Sequence, residues 1–122
     1  MSKVDKFEDL QCWQASRELV KFIYTICKKD KLVIDNDTQR QLKRAGLSTM
    51  NNIAEGFSRY NKKDSIRFYD FSQSSVSEVK SMSYVLEDLN LVAEKDIEEL
   101  RQKCDKSRNL TLGFIKYLNN HE

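Results

Sequence analysis

Apolar residues recur along the chain at intervals of three and four, the spacing that puts them on one side of an α-helix, and they do so in four blocks separated by short polar connections. The first block, about residues 9–29, carries two stripes: Leu10, Trp13, Val20, Tyr24 and Cys27 form one, Cys12, Leu19, Phe22 and Ile26 the other. Asp9 stands where an N-cap belongs. An apolar arc this wide predicts neighbours on two sides, inside a bundle or across a subunit boundary. The second block, about 37–57, repeats Leu42, Ala45, Thr49 and Ile53, with Ala, Gly and Ser nearby that let another helix approach closely. Asn36 or Asp37 is placed to cap its start and Gly56 to end it. The third block, about 64–90 with Asp64 as cap, reads Phe68, Ser72, Ser75, Val79, Met82, Leu86 and Leu89, a bundle seam thinned by two serines. The fourth, about 95–119 with Glu94 or Asp96 as cap, has the cleanest period, through Ile97, Leu100, Cys104, Ser107, Thr111, Phe114 and Leu118.

Four helices joined by short connections fold up-down-up-down, because a short loop makes successive helices antiparallel neighbours. Composition agrees: the 122 residues include no proline and three glycines, the texture of long helices. The predicted fold is an all-α, antiparallel four-helix bundle, one domain over residues 1–122. Charged residues are 33% of the chain but balance to a formal +2, so no global field demands a polyanion. The opening Met1-Ser2-Lys3-Val4-Asp5-Lys6 has no apolar leader, and no window nears the roughly 18 apolar residues of a membrane span, which predicts a cytoplasmic protein with no membrane contact. Cys12, Cys27 and Cys104 are odd in number and lack C-x-x-C spacing, so reduced, packed thiols are expected.

Four motifs together carry a family resemblance. They are Phe7-Glu8-Asp9-Leu10-x-x-Trp13-Gln14, Gln41-Leu42-x-Arg44-Ala45, Ser48-x-x-x-Asn52-Ile53-Ala54-Glu55-Gly56, and Ser75-x-x-Glu78. The chain resembles the bacterial four-helix-bundle proteins found in intervening sequences of 23S ribosomal RNA genes. The resemblance implies an antiparallel bundle that assembles into a ring, commonly a pentamer. It also implies a fold similar to the accessory proteins of diversity-generating reverse transcriptases, which are associated with nucleic acid and with a partner enzyme. One position departs from the family's pattern: Gly-Ser before a carboxylate is usual in the third helix, whereas Ser74-Ser75 stands here.

Folding the second and third blocks about a turn near residues 60 and 61 sets Arg44 opposite Glu78, Ser48 opposite Ser74 and Glu55 opposite Arg67. Two salt bridges are therefore expected, flanking a close crossing of small residues. A paired-carboxylate site made of Glu55 and Glu78 fails on distance, since the two lie about 16 Å apart along the axis. No Glu-x-x-His pair exists to hold a di-metal centre, and the sole histidine, His121, is next to last, which leaves a cysteine or serine nucleophile without a base. The residues thus predict no enzyme, no metal and no cofactor.

Between Arg40 and Arg67, seven basic residues face two acidic ones. With Arg44 and Arg67 paired internally, Arg59, Lys62 and Lys63 remain around Tyr60, a candidate phosphate contact with a stacking ring; the alternative is a solvated loop of ordinary charge. A ring would place several such turns on one rim. Trp13 is a core anchor stapled by Phe7, or an anchor at a subunit interface. Phe68 is expected in the core, which leaves Tyr69 or Phe71 exposed or against another subunit. The charges Glu98, Glu99, Arg101, Lys103, Lys106 and Arg108 read as a wet face. The favoured function is a non-catalytic oligomeric scaffold whose basic turn contacts RNA or DNA. The competing one is a protein-interaction module accessory to a reverse transcriptase or a ribosome-related partner, with no nucleic-acid contact of its own.

Overall fold

The computed structural model describes residues 4–121. The opening Met1-Ser2-Lys3 and the final Glu122 lie outside the described residues, so the reading of the first three as free of a leader is not addressed. Four α-helices follow in order: α1 (Gln11–Ile26), α2 (Asn36–Phe57), α3 (Lys62–Asp88) and α4 (Glu94–Asn119). Single 3-10 turns at Phe7–Asp9 and Asp30–Ile34 precede α1 and α2. Each helix packs on its neighbours in sequence, and α4 returns to α1, closing the predicted four-helix bundle.

The core has two apolar halves. Leu19, Ile23, Ile26, Leu42, Val76, Val79, Leu86 and Leu100 fill one, toward the α3–α4 turn. Leu10, Cys12, Ile53 and Tyr69 form the other, with Phe57 and Phe114 packed against them. Burying each of the large aliphatic side chains contributes about 1.5–3 kcal/mol. Between the halves, every helix supplies a hydroxyl at the same level: Ser16, Thr49, Ser72, Ser107 and Thr111 are all fully buried. The belt is satisfied internally. Ser16 and Ser107 share a hydrogen bond of 2.8 Å across α1 and α4, Ser72 donates to the Thr49 carbonyl at 2.6 Å, and Thr111 donates to the Ser107 carbonyl at 2.8 Å. Among the described residues no buried side-chain polar atom lacks a partner.

The α3 seam is rotated from the one expected. Tyr69, Ser72, Val76, Val79, Ser83 and Leu86 face the core, whereas Phe68, Ser75 and Met82 are half-buried on the flank and Leu89 is exposed. The expected seam mixed two adjacent stripes, both of period three and four. Packing against α2 and α4 together settles the rotation: the Ser72 hydroxyl donates to the Thr49 carbonyl of α2, and the Tyr69 ring lies 5.1 Å from that of Phe114 on α4. On α4 the expected stripe is buried from Ile97 to Thr111.

Helix ends fall within three residues of those expected, and those of α2 and α4 at Phe57 and Asn119 coincide with them. Leu10, itself buried, precedes α1, and Asp9 belongs to the 3-10 turn, because Phe7 folds back to meet Trp13 edge-on at 5.2 Å. Asp35 rather than Asn36 or Asp37 caps α2, its carboxylate accepting from the Thr38 backbone N–H at 3.1 Å and the Thr38 hydroxyl at 2.8 Å. Asn61 rather than Asp64 caps α3, accepting from the Asp64 N–H at 2.8 Å. α4 has no cap of its own; Asp30, at φ 50 in the α1–α2 connection, accepts from the Ala93 N–H at 3.3 Å. Asp96, expected as a cap, is instead buried and pairs with Lys29 at 3.5 Å. Gly56 does not end its helix. It is buried one residue before the last, and no glycine among the described residues has positive φ.

Candidate nucleic-acid interface

Because the Asn61 side chain starts α3 two residues earlier than expected, Lys62 and Lys63 occupy the first helical turn and only Ser58 to Asn61 form the connection. That places Arg59 and Tyr60 at the tip of the hairpin. Tyr60 is fully exposed. Arg59 pairs with Glu55 at 3.0 Å and its guanidinium covers the Phe68 ring at 4.5 Å. Lys62 donates to the His121 carbonyl at 2.9 Å, tying the end of α4 to this turn, while the exposed Lys63 makes no ion pair among the described residues. The four candidate contacts therefore share one end of the bundle, with two of the three cations engaged internally.

The two expected cross-helix bridges do not form. Arg67 pairs with Asp64 at 3.3 Å within the start of α3, and Glu55 in the last turn of α2 pairs with Arg59 of the connection four residues on. Arg44 donates to Gln41 at 3.1 Å, and Glu78 has no ion pair among the described residues. A partner one turn away is already at the right separation, so pairing there orders fewer rotamers than reaching across to another helix. The small-residue crossing itself is present, one position from where it was expected: Ser48 bonds Ser75 at 2.8 Å rather than facing Ser74, which is exposed. Asn52 donates to the Ser48 hydroxyl at 2.8 Å.

Of the aromatic residues on α3, one of Tyr69 and Phe71 is exposed as expected, but Phe68 does not lie in the core. Tyr69 is buried and Phe71 half-exposed, while Phe68 lies at the edge beneath Arg59 and Arg67, its ring 5.9 Å from that of Phe71. Trp13 is half-buried against the second apolar half, with Arg17 over its ring at 5.7 Å. The wet face of α4 is only partly wet: Arg101 donates to Ser83 at 2.8 Å, pairs with Glu87 at 3.0 Å and stacks on Tyr84 at 3.9 Å, so it joins α3 to α4. Neither the Arg101 cluster nor the Asp96 to Lys29 pair was found in the sequence. The cap was legible as Asn61 three residues before Asp64, a pattern masked by the nearer acidic residue.

Little chemistry is available here. Among the described residues no three His, Cys, Asp or Glu side chains converge to hold a metal ion. His121 stacks on Tyr117 at 4.0 Å, and its Nδ1 lies 2.7 Å from the Tyr117 carbonyl. Cys12, Cys27 and Cys104 are free and buried. Burial pushes the Cys12 thiol up to about 11 and the Cys104 thiol up to about 12, away from the thiolate form that nucleophilic chemistry requires. Among the described residues no helix is long and apolar enough to cross a membrane.

Closed antiparallel order, short turns and a small-residue crossing between α2 and α3 define a four-helix-bundle protein. The 23S rRNA-intervening sequence protein family model matches residues 8–113, and the chain belongs to that family. A solved structure of a protein with unknown function from the S23 ribosomal protein family of Bacteroides thetaiotaomicron superposes with a TM-score of 0.77. It is 19% identical over 86% of this chain and 98% of its own, a likeness of fold. No curated protein matches the chain. Neither the family nor this neighbour carries an assigned reaction.

Proposed function

We propose that the protein is a non-catalytic scaffold that works as a homo-oligomer, a ring of the pentameric kind, and touches RNA or DNA through the α2–α3 turn. The observation that carries the nucleic-acid part is the wholly exposed Tyr60, standing between Arg59 and the Lys62–Lys63 pair. An exposed ring with cations on both sides suits a base stacked on the ring and phosphates held beside it. The internal contacts of Arg59 and Lys62 are no obstacle. Exposed ion pairs are worth about 0–1 kcal/mol, so a phosphate competes for these cations at small cost. The N-terminal end of α3 adds a favourable dipole for an anion at the same place. Repetition of the turn around a ring multiplies a weak contact by effective concentration.

The test is retention of a single-stranded RNA by the full chain as salt is raised, with Arg59→Ser, Lys62→Ser and Lys63→Ser combined. Three lost phosphate contacts reduce the slope of log affinity against log salt by about 2. Absence of wild-type retention at low salt, or an unchanged slope in the triple variant, refutes the contact.

The second reading, a protein-interaction module with no nucleic-acid contact of its own, is favoured by the engagement of Arg59 with Glu55 and of Arg67 with Asp64. It predicts that Tyr60→Ala and the triple variant leave RNA retention unchanged.

A further inference from the structure

Beside the basic turn a cleft of about 410 Å³ opens between the start of α3 and the end of α4, lined among others by Phe57, Tyr60, Lys62, Tyr69, Phe114 and Tyr117. Its volume lies within the roughly 300–1,000 Å³ usual for small-ligand clefts. Aromatic rings make most of the wall: Tyr69 is buried, Phe57, Phe114 and Tyr117 are half-buried and Tyr60 is fully exposed, so the lining runs from the core out to solvent. Tyr117 stacks with His121 at 4.0 Å and 27°, and Lys62 donates to the His121 carbonyl at 2.9 Å, which ties the two sides of the cleft to each other. Asn61 also lines it. The Asn61 side-chain carbonyl is taken by the α3 cap, which leaves the amide N–H groups as donors at the edge.

We infer that this cleft takes one unpaired base of a nucleic-acid strand, with the adjoining phosphates on Lys62 and Lys63. The inference rests on the nucleic-acid contact proposed above and adds what that contact selects: a base free to leave its stack, rather than the outside of a duplex. Every base has an aromatic face, so walls of this kind accept it whatever the sequence. A base inside a duplex is covered on both faces by its neighbours and enters only after unstacking, which is unfavourable. Charge separates this occupant from an apolar peptide side chain, which fills the walls but gains nothing from the cations beside them. Three cations, Arg59, Lys62 and Lys63, also outnumber the single phosphate of a mononucleotide, so a strand with successive phosphates is the better match. The neighbouring cleft between α1 and α4, about 430 Å³, has Asp9 at its edge and no lysine or arginine among the described residues that line it, so it has no means of holding a phosphate.

Fluorescence anisotropy with the full chain at low salt tests this on three forms of one short RNA duplex: blunt, with one unpaired nucleotide at an end, and with the same overhang made abasic. The phosphates of the last two are alike, so only the base differs. The wild type binds the overhang about tenfold more tightly than the blunt or abasic form, the effect of one base stacked on aromatic side chains. Tyr117→Leu removes most of that preference and leaves blunt binding unchanged, while Tyr117→Phe keeps it. Unchanged blunt binding and helical circular dichroism show that the turn and the bundle are intact in both variants, and the comparison of the three duplexes on the wild type needs no variant at all. Equal affinity for all three forms overturns the cleft and leaves the nucleic-acid contact standing. So does a preference that survives Tyr117→Leu but is lost in Tyr60→Ala, which puts the base on the exposed ring alone. Adenosine monophosphate displacing the overhang form at equal concentration overturns the strand as occupant. No binding of any form overturns the proposed contact together with the cleft.

Discussion

One substitution, glycine to alanine, made at three positions should give three different results. At Gly56 an added Cβ meets the Tyr69 ring at 2.7 Å and the Ser65 backbone oxygen at 2.9 Å. Neither can yield cheaply: Tyr69 is 2% exposed within the core, and the oxygen belongs to the α3 backbone. Overpacking of this kind costs about 1–3 kcal/mol, and the gain in helix propensity, at most about 1 kcal/mol, is smaller near a helix end. The net is a loss of about 1–2 kcal/mol. At Gly113 nothing lies within 4 Å of the added atom, so the propensity gain stands alone. At Gly46 the nearest atom, at 2.6 Å, is the Cδ1 tip of Ile23, which can turn aside at the expense of its buried packing, and the two effects roughly cancel. With about 2 cal/mol/K of unfolding entropy per residue, each kcal/mol moves the midpoint by about 4 °C. Thermal melts at one fixed protein concentration should place Gly56→Ala about 4–8 °C below the wild type, Gly46→Ala near it and Gly113→Ala above it. If Gly56→Ala melts with Gly113→Ala, the close approach of α2 to α3 is wrong and with it the role of Gly56 in the crossing.

The hydroxyl belt makes a second prediction. Removing either Ser16 or Ser107 leaves the other hydroxyl buried without its partner, which costs about 1–2 kcal/mol. The Ser16→Ala/Ser107→Ala pair should therefore cost much less than the sum of the single variants in urea titrations, and strict additivity would show that the 2.8 Å bond carries no coupling. A third prediction concerns pH. The thiols of Cys12 and Cys104 ionise near their ordinary 9.0 in the unfolded chain but near 11 and 12 when folded. Their contribution to stability is fully present below pH 9 and is lost as pH rises toward the folded values, since above 9 the unfolded chain binds fewer protons. The expected slope is about 1.4 kcal/mol per pH unit for each thiol. Tyr69, raised above its ordinary 10.0 mainly by burial, adds to the loss at the upper end. Denaturation midpoints between pH 8 and 11 measure the slope, and a flat profile contradicts it. The same burial keeps both thiols unreactive toward a disulfide reagent at neutral pH until urea unfolds the chain.

The sequence by itself determined the class of fold, the number and order of helices, and the stripes of α2 and α4. Helical spacing and connection length are local properties, and a run such as Leu42, Ala45, Thr49 and Ile53 allows one buried side. It also located the basic turn, because Arg59, Tyr60, Lys62 and Lys63 are contiguous or nearly so. Only the tertiary structure decided how α3 is rotated. Its two stripes, one through Tyr69 and Val76 and one through Phe71 and Glu78, have the same period, and the choice between them is made by packing against both α2 and α4 at once. Partners of charged groups were decided in the same way. Arg59 was expected free and is held by Glu55, while Arg44 and Glu78 were expected together and stand apart. Ion pairs depend on reach over a few ångströms, which a register estimate resolves only to a helical turn. Burial of the hydroxyl belt likewise emerges only when four helices bring Ser16, Thr49, Ser72 and Ser107 to one level, where each polar group must find its partner inside the protein.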